Sequence, residues 1–92
     1  MQKIYLLPYT CDIDKSVIFP HDVLGVVINA NAVIKRGTTI YQSVTIGGNG
    51  KRELDGKILE ALIIGENVII GVGATILGPV IIENGVKIGQ EQ

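Results

Sequence analysis

The sequence predicts an all-β fold, a parallel β-helix, from three regularities of a single repeat. The first is isoleucine at every sixth residue, in one run from Ile28 to Ile46 and another from Ile64 to Ile88. An α-helix repeats its apolar face about every 3.6 residues and a strand every 2, so neither produces this spacing. A period of six is instead typical of β-helices that are built from hexapeptides.

The other two regularities predict a strand and a corner within each hexad. With isoleucine as position 1, position 5 is small or β-branched and can point inward: Ala32, Thr38, Val44, Val68, Ala74, Val80 and Val86. Position 4 is a turn former: Asn31, Gly37, Ser43, Asn67, Gly73, Pro79 and Gly85. Glycine and asparagine tolerate the positive φ of a sharp corner. Three hexads are expected to close one triangular coil, giving about four coils in a single domain over residues 1–92.

The repeat continues towards the N-terminus with one interruption. Leu7, Ile13 and Phe19 are also six apart, but nine residues separate Phe19 from Ile28. The coil is therefore expected to be irregular around residues 21–25.

A second interruption covers residues 47–63. Its segment KRELDGKILE carries six charged residues in ten, which favours a solvated loop. The 18 residues from Ile46 to Ile64 are a multiple of six, so an extra coil is the alternative. That coil would place Arg52 in the core, and a protruding loop at 47–63 is therefore preferred.

Composition limits the classes of partner and location. A chain of 92 residues that is 47% hydrophobic, with no Trp and one Phe, requires an aliphatic core. A net charge of −1 argues against nucleic acid as a partner. The uncharged run Asn67–Ile82 falls short of the ~20 residues that span a bilayer, and no signal peptide is visible. The single Cys11 forms no internal disulfide and favours a reducing, cytoplasmic location.

Two glycine-rich motifs do not fit the nucleotide-binding sites they suggest. The segment GGNGK at residues 47–51 lacks the full GxxxxGK[ST] pattern of a phosphate loop, because Arg52 follows the lysine. The segment IIGVGATILG keeps the hexad phase and no helix follows it, which excludes a dinucleotide fingerprint. One His and one Cys are too few for a protein metal site within one chain, so no metal is expected.

His21 is the only histidine and the candidate catalytic residue. It lies at the first interruption, where a side chain can leave the coil wall, and Pro20 stiffens the chain before it. Histidine is the natural general base near neutral pH. A structural or plain surface histidine is the alternative.

Three segments carry a resemblance to a known family. They are HDVLGVVI at 21–28, TIYQSVTIGGNGK at 39–51 and IIGENVIIGVGATILG at 63–78. Through them the chain from Ile13 to Gly89 resembles the C-terminal domain of serine acetyltransferases and their hexapeptide acyltransferase relatives. The resemblance implies a left-handed winding, although parallel strands are normally joined by right-handed crossovers.

The same resemblance implies an activity and a site. The family transfers acetyl from acetyl-coenzyme A to a hydroxyl, and its general base matches His21. It binds coenzyme A between neighbouring subunits of a homotrimer, at positions matching Gly48, Asn49, Val72 and Gly73. No covalent enzyme intermediate and no metal are needed.

Departures from the family pattern concern the acceptor and the partner of the base. The family's serine-binding Arg-His pair falls on Glu60 and Ala61, so a sugar or polysaccharide precursor is the expected acceptor. The carboxylate that orients the family's histidine falls on Leu6. Asp12, Asp14 and Asp22 remain alternatives for that role.

Two other functions remain open at this point. One is serine O-acetyltransferase activity itself. The other is a truncated, non-catalytic trimerising β-helix. It is favoured by the end of the sequence at residues 90–92, where relatives continue with a part-coil that flanks coenzyme A.

Overall fold

The computed structural model describes residues 12–48, 52–54, 57–59 and 61–89, and these are all-β with no helix. The strands are β1 (Asp12–Ile13), β2 (Pro20–Val23), β3 (Val27–Ile28), β4 (Ala32–Ile34), β5 (Thr39–Ile40), β6 (Thr45–Gly48), β7 (Arg52–Leu54), β8 (Lys57–Leu59), β9 (Leu62–Ile64), β10 (Ile69–Ile70), β11 (Thr75–Gly78), β12 (Val80–Ile82) and β13 (Lys87–Ile88). Within these ranges, no helix is long and apolar enough to cross a membrane.

Three parallel sheets make up the body of the fold. Face A contains β1, β4, β9 and β12 in that order; face B contains β5, β10 and β13; face C contains β3, β6 and β11. Successive strands along the chain pass from one face to the next, and each pairs with the strand of the following layer. The prediction of an all-β chain with parallel strands is confirmed, and the arrangement is compatible with a β-helix.

The predicted isoleucine columns form the core. In the register of the sheets, Ile34 lies beside Ile64, Ile40 beside Ile70, and Ile46 beside both Ile28 and Ile76. The first two columns continue to Ile82 and Ile88, which are only partly buried at the last layer. Each layer therefore covers the aliphatic side chains of the one before it, which removes apolar surface from water.

Position 5 of the hexad is also internal. Ala32, Thr38, Val44 and Val68 are at most 1% exposed, whereas Val86 in the last layer is 38% exposed. Thr38 is the one buried polar side chain among the described residues. Its hydroxyl donates to the carbonyl oxygen of Gly65 (2.9 Å) and accepts from the amide of Val68 (3.1 Å), so it replaces a backbone bond between layers.

The corners use positive φ at two of the three edges of the triangle. Five of the predicted corner residues have φ between 55° and 76°: Gly37, Ser43, Asn67, Gly73 and Gly85. The expectation was wrong for Asn31 and Pro79, which are not among the positive-φ residues. Both lie between face C and face A, and proline cannot adopt positive φ because its ring fixes φ near −65°. That edge is therefore turned by a different backbone conformation.

The second interruption adds residues without adding a layer. Strand partners are 18 residues apart between β3 and β6 but 30 apart between β4 and β9, so 12 residues are inserted. Within the insert, β7 pairs with β8 in an antiparallel hairpin, and Arg52 lies opposite Leu59 rather than in a core column. Gly47–Gly48 and Leu62–Ile63 belong to β6 and β9, so the insert is shorter than 47–63.

Candidate active site

His21 lies on an extra piece of chain at one edge of the triangle. Partners are 21 residues apart at Ile18 and Thr39, before His21, but 18 apart at Val27 and Thr45, after it. Three additional residues are therefore accommodated between Ile18 and Val27. The coil wall has no room for them, and Pro20–Val23 forms β2 with Val23 buried and His21 exposed.

The turn after His21 fixes its backbone. Asp22 has φ 55°, and its amide donates to the carbonyl oxygen of Phe19 at 2.9 Å. The amide of Leu24 donates to the carbonyl oxygen of His21 at 3.4 Å. The buried Val23 anchors this turn to the core, so the imidazole is presented outside the wall by a short, defined segment.

Tyr41 contacts the imidazole from the next layer. The two ring centroids are 6.4 Å apart and the planes are inclined at 42°. Tyr41 follows Ile40, which is fully buried, and its amide donates to the carbonyl oxygen of Ile70 at 3.0 Å. Sequence reasoning missed this residue. The signal was its position: Ile18 pairs with Thr39, which places Tyr41 opposite Pro20 if the register continues.

Val72 and Gly73 lie on the same edge as His21. This edge, the B–C corner, consists of residues 24–25, 42–43 and 72–73. Ser43 donates its amide to the carbonyl oxygen of Leu24 (2.9 Å), and Gly73 donates to that of Gln42 (3.1 Å), which stacks the three pairs. The structure thus brings His21 and two of the predicted coenzyme positions to one edge.

Gly73 is an open point of approach at this corner. Its φ is +73°, and a Cβ added there would meet nothing within 4 Å. Its amide is already bonded to Gln42, so it is not a free donor for a reaction intermediate. Its contribution is therefore access to the backbone. The side-chain oxygen of Gln42, Oε1, is buried without a hydrogen-bond partner.

Gly48 is not at the B–C corner. It is the last residue of β6 and pairs with Gly78 at the far end of face C. Five residues at ~3.3 Å each separate it from Ser43, a distance of about 16 Å along the strand. Within one chain, the predicted coenzyme positions thus occupy both ends of face C. Asn49 lies outside the described residues.

Of the three candidate carboxylates, Asp22 alone shares the segment of His21. Asp12 lies on face A in β1. The carboxylate of Asp14 accepts the amide of Ser16 (2.9 Å) and its hydroxyl (2.7 Å) at the edge between faces A and B. Those two bonds lower the pKa of Asp14 below its ordinary value of 3.8.

Other parts of the described structure offer less for catalysis. Two shallow cavities of about 360 and 380 Å³ lie along the edge between faces A and B, with Lys35 on the border of both. His21 lines neither of them. In residues 12–48, 52–54, 57–59 and 61–89, no three His, Cys, Asp or Glu side chains are grouped to hold a metal ion.

Comparison with known proteins gives one consistent similarity. The chain is 47% identical over 66 residues to serine acetyltransferase of Staphylococcus epidermidis and 46% identical over 66 residues to that of Staphylococcus aureus. Each match covers 72% of this chain and 29% of the relative, so the chain spans less than a third of the length of these relatives. No protein-family model matches, and no solved structure matches. Over most of its length the chain is therefore a homologue of part of the serine acetyltransferases, with a serine acetyltransferase-like acyltransferase domain.

Proposed function

We propose that the chain is an O-acetyltransferase that transfers acetyl from acetyl-coenzyme A to a hydroxyl acceptor, with His21 as the general base. The observation that carries the proposal is the position of His21. It stands outside the coil wall, exposed, on the same edge as the open backbone at Gly73. The similarity to serine acetyltransferases supports the reaction class.

In this mechanism the imidazole of His21 takes the proton of the acceptor hydroxyl. The hydroxyl oxygen attacks the thioester carbonyl, and the C–S bond then breaks. The imidazolium returns the proton to the departing thiolate, so ester and free coenzyme A are the products. General-base assistance of this kind is worth about 10²–10⁴-fold in rate.

The donor site is proposed to form between subunits of a homotrimer. Gly48 and Gly73 lie at opposite ends of face C, which suits an elongated molecule such as coenzyme A lying along that face. Asn49 and Val72 would add contacts at either end. Leu24 at the B–C corner and Leu77 on face C are 69% and 64% exposed, and a neighbouring subunit would cover them.

The fold that accompanies this proposal is a left-handed β-helix of about four coils in a single domain, with the 47–63 segment protruding. Acetyl-coenzyme A as donor agrees with the cytoplasmic location that the lone Cys11 suggests. Mass in solution tests the assembly. Three times the 9.8 kDa of the chain is expected, and a clean monomer would remove the groove between subunits.

The acceptor separates two forms of the proposal. A sugar or polysaccharide precursor is favoured by Glu60 and Ala61, which replace the family's serine-binding pair. Serine is favoured by the printed name of the similar proteins. Incubation with acetyl-coenzyme A and a panel containing serine and several sugars, followed by release of free thiol, decides between them.

The same experiment tests the non-catalytic alternative. If acetyl-coenzyme A neither binds nor is turned over with any acceptor, the enzyme proposal is wrong and a trimerising module remains. If turnover is observed and His21→Ala keeps the full rate, the enzyme proposal stands and the assignment of the base is wrong.

A further inference from the structure

We propose that Tyr41 is a positioning residue for the reaction, whose ring holds the His21 imidazole in the orientation that accepts the proton. The proposal rests on the proposed function, in which His21 is the base. It adds a residue from the next layer of the stack. The argument uses the ring contact, the anchoring of Tyr41 and the exposure of His21.

An exposed histidine needs something to restrict its rotation. The His21 side chain lies outside the core, where an imidazole rotates among several staggered conformations. A base acts only in the conformations that bring a ring nitrogen within hydrogen-bond reach of the proton it takes. Any contact that favours one of these conformations therefore raises the fraction of the enzyme that is ready to react.

Tyr41 supplies such a contact. Its ring centroid is 6.4 Å from that of His21 and the planes are inclined at 42°. That separation lies within the 4.5–7 Å at which aromatic rings attract, and an inclined arrangement is one of the favoured ones. Among the described residues, this is the recorded ring contact of the imidazole.

Tyr41 itself is held firmly enough to act as a support. Its amide is bonded to the carbonyl oxygen of Ile70, and the carbonyl oxygen of the next residue, Gln42, is bonded to the amide of Gly73. The preceding Ile40 is fully buried. The backbone that carries the ring is thus fixed to the neighbouring layer, whereas His21 belongs to the three-residue addition.

The expected effect is moderate and specific. Replacing the ring by a branched aliphatic side chain in Tyr41→Leu is expected to lower kcat about 2- to 13-fold, the rate equivalent of one aromatic pair. KM for acetyl-coenzyme A should change little, because Tyr41 is not assigned a contact with the donor. Tyr41→Phe keeps the ring and should retain most of the wild-type rate.

The contact is measured independently of activity by NMR. The chain has a single histidine, so the imidazole proton signals of the full chain belong to His21. Tyr41→Leu removes the ring current and is expected to move those signals, whereas Tyr41→Phe should leave them close to the wild-type positions. Unchanged signals in Tyr41→Leu would overturn the proposal, and circular dichroism of both variants checks that they are folded.

The kinetics separate positioning from other roles. If Tyr41→Phe loses as much kcat as Tyr41→Leu while keeping the wild-type imidazole signals, the phenol hydroxyl acts in the reaction and the positioning proposal is wrong. If the wild-type protein shows no turnover, the proposed function and the positioning role fail together. The NMR comparison then still shows whether the rings are packed.

Discussion

Replacing Thr38 by valine is expected to destabilise the fold, and the structure allows the size of the effect to be worked out. Valine has nearly the shape of threonine, so no cavity forms at this fully buried position. The change removes the hydroxyl that donates to Gly65 and accepts from Val68. A buried group left without its partner costs about 1–3 kcal/mol, so the loss of both bonds should lower the free energy of unfolding by about 2–4 kcal/mol.

Two variants serve as controls for this prediction. Thr38→Ser keeps the hydroxyl and loses one methyl group, at a cost of about 1 kcal/mol. Thr39→Val makes the same chemical change at the neighbouring half-buried position and should stay within about 0.5 kcal/mol of wild type. Urea unfolding followed by circular dichroism, at one protein concentration, measures all three variants. The reasoning is refuted if Thr38→Val is as stable as Thr39→Val, or more stable than Thr38→Ser.

Two further predictions concern the edge between faces A and B. Gly37→Ala places a Cβ against the Asn67 side chain at φ +76°, whereas Gly85→Ala has the same φ and open space, so both should lose about 1–2 kcal/mol to backbone strain and Gly37→Ala at least about 1 more by thermal unfolding. An equal loss would contradict this. The pKa of Asp14 should titrate below 3.8 by NMR, and Ser16→Ala should raise it only part of the way, since the larger cause is the amide bond. Because the folded pKa is the lower one, this contribution to stability is present above pH 3.8 and is lost as the pH falls through the folded value. A wild-type value at or above 3.8 would exclude the effect.

The core of the fold could be predicted because it depends on a local period. Each regular isoleucine reports its own position, and columns such as Ile34 and Ile64 follow once a hexad is assumed to be a strand and a corner. The different third edge could not be predicted in the same way. Asn31 and Gly37 are both turn formers at the same hexad position, and only the direction of the chain decides which one needs positive φ.

The site was less predictable because it depends on register between layers. The nine-residue step around His21 was visible in the sequence, but how the extra residues leave the wall was not. Whether His21 meets Tyr41, twenty residues later, depends on that path. Gly48 and Gly73 were grouped by resemblance, yet within one chain they lie at opposite ends of face C. Sequence patterns within one chain do not show how copies of it assemble.

The central claim is that His21 performs chemistry and does not merely hold substrate. The most direct test measures thiol release and acetyl-coenzyme A binding for the wild-type protein and for His21→Ala, with the best acceptor at saturation. A loss of kcat of about 10²–10⁴-fold with an unchanged dissociation constant for acetyl-coenzyme A is predicted. An unchanged kcat in His21→Ala would contradict the claim.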